Sequence, residues 1–221
     1  MPYGPKQRFI VFEGIDFSGK DTQMVKLAKY LNTTNFALDR FCEFVGISIV
    51  NTISKGMLGR KIREYLAMDN LPFDNITMAS IFSSELAIAS STVKENFKKH
   101  PIVIANRWYY STIAYNCDTY EEKEQAKLMN RFNLKPDYVI YLDIEPRYAL
   151  ERRDKRLNKK QEVFETEEKL TKVYNNYKIL FENDFKDHRV IMVNANQDEE
   201  AVFNELLNKL DLKYEIVWSD E

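Results

Sequence analysis

Apolar residues in this chain fall into short unbroken runs, separated by longer stretches in which apolar positions recur with helical spacing. Phe9 to Phe12, Pro101 to Ala105, Asp137 to Leu142 and Val190 to Val193 are runs of the first kind. Each predicts a strand buried on both faces. Phe36 to Phe41 predicts one more, running into Cys42-Glu43-Phe44. Met24, Leu27, Ala28 and Leu31 share one side of a helix after the first strand, and Leu58, Ile62, Tyr65 and Leu66 mark a shorter helix that Pro72 breaks. Asp74 is the N-cap expected for a long helix to about Lys98, with Ile76, Ala79, Ile81, Phe82, Leu86, Ala89 and Val93 as its apolar positions. Ile47, Ile49 and Val50 fit either a helical turn or an extended patch. Further helices are predicted after Arg107, with Ile113 and Ala114 buried, over Glu121 to Phe132, from Pro146, from Glu162 to about Phe185, and over Glu199 to Leu210.

Strands alternating with helices, several strands being apolar throughout, indicate an α/β fold with a parallel sheet covered by helices on both faces. The 221 residues fit a single domain over 1–210, followed by a tail, 211–221, that carries Ile216, Val217 and Trp218. A formal net charge of -2, from 32 basic and 34 acidic side chains, argues against a general nucleic-acid binder. No apolar run is long enough for a membrane span, and the N-terminus has no signal core. Cys42 and Cys117 lack metal-ligand spacing and fit reduced thiols in a cytoplasmic compartment. His100 and His188 are far apart, which disfavours histidine-based metal or acyl-transfer chemistry.

The chemistry enters at Gly14 to Lys20, G-x-x-x-x-G-K, set between the first strand and the first helix. That context is the one a phosphate-binding loop needs: backbone N–H groups converge on an anion, the helix N-terminus favours negative charge, and Lys20 adds a cation. All six glycines lie at or before residue 59, so glycine is concentrated where such a loop uses it. Ligands of parallel sheets gather at the carboxyl ends of the strands. That rule brings the loop, Glu43, Asn106-Arg107 and Asp143 to one rim. Arg147 to Lys160 holds seven basic residues and two acidic ones. Such a run is a solvated helix face, a nucleic-acid patch or a mobile cationic lid.

These residues together resemble the thymidylate kinases, enzymes of the P-loop NTPase three-layer fold that transfer the γ-phosphate of ATP to dTMP. The resemblance runs from about Phe9 to Leu210. It is carried by EGIDFSGKDTQ at Glu13 to Gln23, GRKIREYL at Gly59 to Leu66, NRWYYSTIAYN at Asn106 to Asn116, YLDIEPRYALERRDKR at Tyr141 to Arg156, and Phe164-Glu165. It implies a single P-loop kinase domain with a lid over about 147–162, small-molecule substrates, Mg2+ and a homodimer. The ATP phosphates would lie against Gly14, Ile15, Asp16, Phe17, Ser18, Gly19, Lys20, Asp21 and Thr22. Asp16 would hold the acceptor's 3′-hydroxyl, Arg107 its phosphate, Phe82 would stack on the base, and Ser111 would face the base edge. Tyr115 would exclude a ribose hydroxyl. Arg152, Arg153 and Arg156 would neutralise the transferring phosphoryl group.

Several positions depart from the family pattern. Phe17 replaces a glycine or arginine, Asp21 a serine or threonine, and Asn106 the aspartate of an Asp-Arg pair. Phe44 and Leu86 each stand where an arginine is usual. Asp21 and Asn106 keep one carboxylate and one neutral oxygen with their places exchanged, a suitable pair for magnesium. A helix cap at Asp21 and a loop hydrogen bond from Asn106 are the simpler alternative. Likewise Phe82 and Tyr115 also fit as ordinary core aromatics. A same-fold kinase for dUMP or a modified pyrimidine, and a nucleotide-binding regulator without catalysis, are the competing functions.

Overall fold

The computed structural model describes residues 7–33, 47–53, 56–68, 72–156 and 166–210. Five strands, β1 (Arg8–Glu13), β2 (Ile47–Asn51), β3 (Ile102–Asn106), β4 (Tyr138–Asp143) and β5 (Val190–Asn194), form one sheet in the order β2-β3-β1-β4-β5. Every pairing is parallel. β1 is central, with Ile10 opposite Ile104 of β3 and Tyr138 of β4. All its residues are buried, so helices cover both faces there.

α1 (Lys20–Thr33) and α8 (Glu199–Lys209) pack against each other and along the sheet. α2 (Met57–Leu66), α3 (Asn75–Asn96), α4 (Tyr109–Asn116), α5 (Tyr120–Asn130), α6 (Pro146–Arg156) and α7 (Glu167–Ile179) form the other connected group. The expected inner face of α1, Met24, Leu27, Ala28 and Leu31, is buried in full. Side chains set the helix starts: Asp74 accepts from Thr77 N, Asp198 from Ala201 N, and Thr119 with Glu122 completes a capping box on α5. α3 is long and apolar enough by composition to cross a membrane, yet Met78, Ala79, Leu86, Ala89 and Val93 are buried in this core.

One open alternative is decided and one expectation changes. Residues 47–51 are extended, because their backbone completes a ladder with β3 that five residues alone do not specify. The helix expected from Glu162 begins at Glu167, where the Thr166 side chain caps Lys169 N, and it ends in a π-helical turn over Leu180–Asp184. The strand expected over 36–41, Glu43 and Phe44, residues 157–165 and the tail 211–221 lie outside the described residues.

Candidate active site

The loop between β1 and α1 has the backbone its glycines predict. A Cβ on Gly14 (φ +141) would meet Leu142 O and Ser18 Oγ at 2.9 Å each, so no other residue fits there. Gly19 is also left-handed (φ +96). Phe17 holds φ 62 without being glycine. That conformation costs on the order of 1–3 kcal/mol, which the packing of its ring on the core offsets.

Lys20 opens α1 and turns back over the loop, donating to Ile15 O (2.7 Å), Gly14 O (3.0 Å) and Ser18 Oγ (3.3 Å). Burial, reinforced by the Arg107 charge, lowers its pKa to about 7 despite Asp16, Glu13 and Asp21 nearby.

Arg107 follows the end of β3 with φ 65, a second strained position at the same rim. Its amide donates to Phe12 O (2.8 Å), and the amide of Trp108 donates to Glu13 Oε1 (2.6 Å). Nη2 pairs with Asp16 Oδ1 (2.6 Å) and reaches Tyr115 Oη (3.0 Å), while Tyr115 donates to Asp16 Oδ2 (2.8 Å). Nη1 donates to Gly14 O (3.0 Å), Ser111 Oγ (3.1 Å) and Tyr177 Oη (3.4 Å). Burial alone would raise the Asp16 pKa, but the Arg107 and Lys20 charges pull it down to about 2. The fully buried Glu13 moves the other way: burial raises its pKa against the hydrogen bonds of Ser111, Tyr177 and Trp108 N.

The structure thus brings Asp16, Lys20, Arg107, Ser111 and Tyr115 into one cluster. Ser111 is buried, and its hydroxyl donates to Glu13 Oε2 (2.6 Å), so it holds the cluster together and does not face open space. Phe82 lies partly buried on α3, the helix packed on α4. Leu86, one turn on, is buried in the core and offers no donor. Glu13 and Tyr177 are central to the geometry and were not singled out in the sequence; the signal for Glu13 was a carboxylate ending an otherwise apolar strand.

Beside the loop lies a cleft of about 300 Å³ lined by Gly19, Thr22, Gln23, Arg152, Gln197 and Val202 among others. Arg152 bridges its walls, donating to Ser18 O (3.0 Å), Ala195 O (2.7 Å) and Gln197 O (2.9 Å). Arg153 pairs with its neighbour Asp154 (2.8 Å). Arg156 ends α6, and its side chain lies outside the described residues. Asp143, at the end of β4, binds Lys178 Nζ of α7 (2.8 Å).

Asp21 and Asn106 meet directly: Asn106 Nδ2 donates to Asp21 Oδ1 at 2.7 Å. The Asn106 side-chain amide oxygen, Oδ1, is buried and has no hydrogen-bond partner, while the backbone carbonyl accepts from Thr52 Oγ1 (2.9 Å). A carboxylate beside an unsatisfied amide oxygen is a donor set that suits a hard divalent cation. Among the described residues no three His, Cys, Asp or Glu side chains converge, so such a cation would take most of its ligands from phosphate and water.

The sequence profile of the family described as thymidylate kinase matches residues 12–206. A probable thymidylate kinase of Methanocaldococcus jannaschii is 33% identical over 91% of this chain and 95% of its own length. The thymidylate kinase of Plasmodium falciparum is 30% identical over 93% of this chain and 90% of its own. That of Thermosipho africanus is 34% identical over 76% and 82%. With a profile spanning the loop, the Arg107 cluster and the helices that close over them, the chain belongs to the thymidylate kinase family.

Proposed function

We propose that this protein transfers the γ-phosphoryl group of ATP to dTMP, giving dTDP and ADP. The observation that carries the reading is the Arg107–Asp16–Tyr115 cluster packed directly on the Lys20 loop. A cation for a donor phosphate and a second for an acceptor phosphate stand on one rim. An oxygen of the dTMP phosphate attacks the γ-phosphorus, the bond to the β,γ-bridging oxygen breaks, and ADP carries that electron pair away. No covalent bond to the protein is needed, so positioning and charge neutralisation supply the acceleration. Lys20 would leave the loop carbonyls for the β- and γ-phosphates, and Arg107 would hold the acceptor. Asp16 would take the 3′-hydroxyl, and Tyr115 would close the space a 2′-hydroxyl needs. The cleft at Gln23, Arg152 and Val202 suits the ATP base and ribose. Arg152, Arg153 and Arg156 would neutralise the moving phosphoryl group, Arg152 giving up its backbone carbonyls as Lys20 does. Magnesium, when bound, neutralises the β- and γ-phosphates, and Asp21 with Asn106 would hold it. The resemblance also implies a homodimer, which sedimentation tests.

A coupled ADP-release assay across the deoxynucleoside monophosphates tests the reading, and dTMP is expected to be the best acceptor. Leu86 is apolar and buried, so no donor from that position reads the group at position 4 of the base. A pocket relying on shape alone discriminates by about 10²-fold, against about 10⁴–10⁵ for one with a dedicated hydrogen-bonding group. The preference for dTMP over dCMP is therefore expected in the lower range. A ratio near the upper one would place a base-reading donor elsewhere.

For the metal, Asp21→Ser is expected to raise the magnesium concentration for half-maximal rate about tenfold, the size of one charge-assisted contact. The double change Asp21→Ser with Asn106→Asp restores most of it, a coupling measurable in a double-mutant cycle. Purely additive losses would return Asp21 to the role of a helix cap.

A further inference from the structure

Arg107 has two carboxylates, not one. Asp16 pairs with it directly at 2.6 Å. Glu13 reaches it through two hydroxyls: Arg107 Nη1 donates to Ser111 Oγ (3.1 Å) and Tyr177 Oη (3.4 Å), and both hydroxyls donate to Glu13 Oε2 (2.6 and 2.8 Å). The hydroxyl oxygens also lie within hydrogen-bond distance of each other (2.6 Å), and each keeps a lone pair that accepts from the guanidinium. The other Glu13 oxygen accepts from Trp108 N at 2.6 Å, next to the strained Arg107 backbone. Glu13 is wholly buried, and an isolated charge there would be costly unless paired in this way.

The two carboxylates differ in what a ligand would do to them. Asp16 is partly solvated and stands where the acceptor would bind, so its contact with Nη2 is exchangeable. Glu13 is wholly buried behind the cluster, and its contacts are to Ser111, Tyr177 and the Trp108 amide, away from solvent. The Arg107 Nε–H makes none of these bonds.

We propose that Glu13, with Tyr177 as its bridge, is the positioning unit that keeps Arg107 aimed at the acceptor phosphate. This rests on reading Arg107 as the acceptor-phosphate ligand. Tyr177 comes from α7, the helix that packs on α6, so the unit also links α7 to Arg107. Neither residue touches substrate; both act through Arg107.

Titration calorimetry of wild type, Glu13→Gln and Tyr177→Phe with dTMP, thymidine and ATP tests this. Thymidine lacks the phosphate, so it reports the rest of the acceptor site. Glu13→Gln is expected to weaken dTMP about tenfold or more and Tyr177→Phe several-fold, the scale of charge-assisted hydrogen bonds. Thymidine and ATP are expected to bind as to wild type. In turnover the loss falls on KM for dTMP, with kcat little changed. Tyr177→Phe, which removes one oxygen from a buried site, keeps the test available if Glu13→Gln folds poorly. Unchanged dTMP affinity in Tyr177→Phe, or dTMP, thymidine and ATP weakening together, would overturn the positioning role. Wild-type protein that bound thymidine as tightly as dTMP would instead remove the reading of Arg107 beneath it.

Discussion

Lys20→Ala is expected to lower kcat by about three powers of ten or more, the scale on which cations and oxyanion donors act in phosphoryl transfer. The free protein holds Lys20 buried on the loop carbonyls, where its pKa is about 7. This lysine therefore sheds its proton near neutrality until an anion replaces those carbonyls. Phosphates entering the loop raise its pKa again, so nucleotide binding above about pH 7 takes up a proton. Affinity for ATP is expected to fall with rising pH, approaching tenfold per unit above about 7. Calorimetry at pH 8 in buffers of different ionisation enthalpy measures the uptake, which Lys20→Ala abolishes. The sign for folding is opposite. Between about 7 and the unperturbed 10.5, the unfolded chain binds more protons than the folded one, so this group's contribution to stability rises with pH across that window. Absence of proton uptake would mean that Lys20 stays charged in the empty loop.

Arg107→Ala carries the second large effect, on binding and stability together. It leaves Asp16 without its ion pair and Glu13 buried without the cation its hydroxyl bridges serve. Breaking a buried pair costs about 3–5 kcal/mol, and the partial solvation of Asp16 brings this to about 2–3 kcal/mol. Acceptor affinity and kcat/KM for dTMP are expected to fall by about 10³-fold, as for loss of a bidentate phosphate contact. Arg107→Lys separates the two effects. It keeps a charge for Asp16 and regains stability, but one ammonium cannot reach both Asp16 and the paired hydroxyls, so kcat/KM stays low. Urea unfolding and steady-state kinetics on the two variants measure both. Arg107→Lys with wild-type kcat/KM would show that charge alone suffices there.

The loop and its flanking elements were legible because their signal is local. An apolar run, two glycines at fixed spacing and a helical face follow one another within residues 9–31, and each element has the burial its pattern requires. Residues 47–51 were ambiguous, since so short a patch takes its conformation from the β3 edge it meets. The start of α7 differs from the expected Glu162 because a polar, charged stretch has no period, and the Thr166 cap sets the boundary. Glu13 was passed over because its partners lie 95, 98 and 164 residues away along the chain. The contacts of Arg152, on the wall of the cleft beside the loop, were not legible in the sequence. It stands among several arginines in sequence, yet its guanidinium faces three carbonyls. Asp21 and Asn106, 85 residues apart, were legible as a pair only through the family pattern, and they are in contact.

The position of β1 in the sheet also bears on how the chain is made. It pairs with β3 around residue 104 and with β4 around residue 138, and among the described residues no hairpin joins any strand to its neighbour. During synthesis at roughly 5–20 residues per second, the central strand therefore waits roughly 5–25 s for the partners that will enclose it. Throughout that interval RFIVFE is an apolar segment with open edges, the kind of stretch that associates with its own copies. A nascent chain stalled before residue 102 is thus the aggregation-prone species, and cool, slow production with a chaperone that binds extended apolar segments protects it.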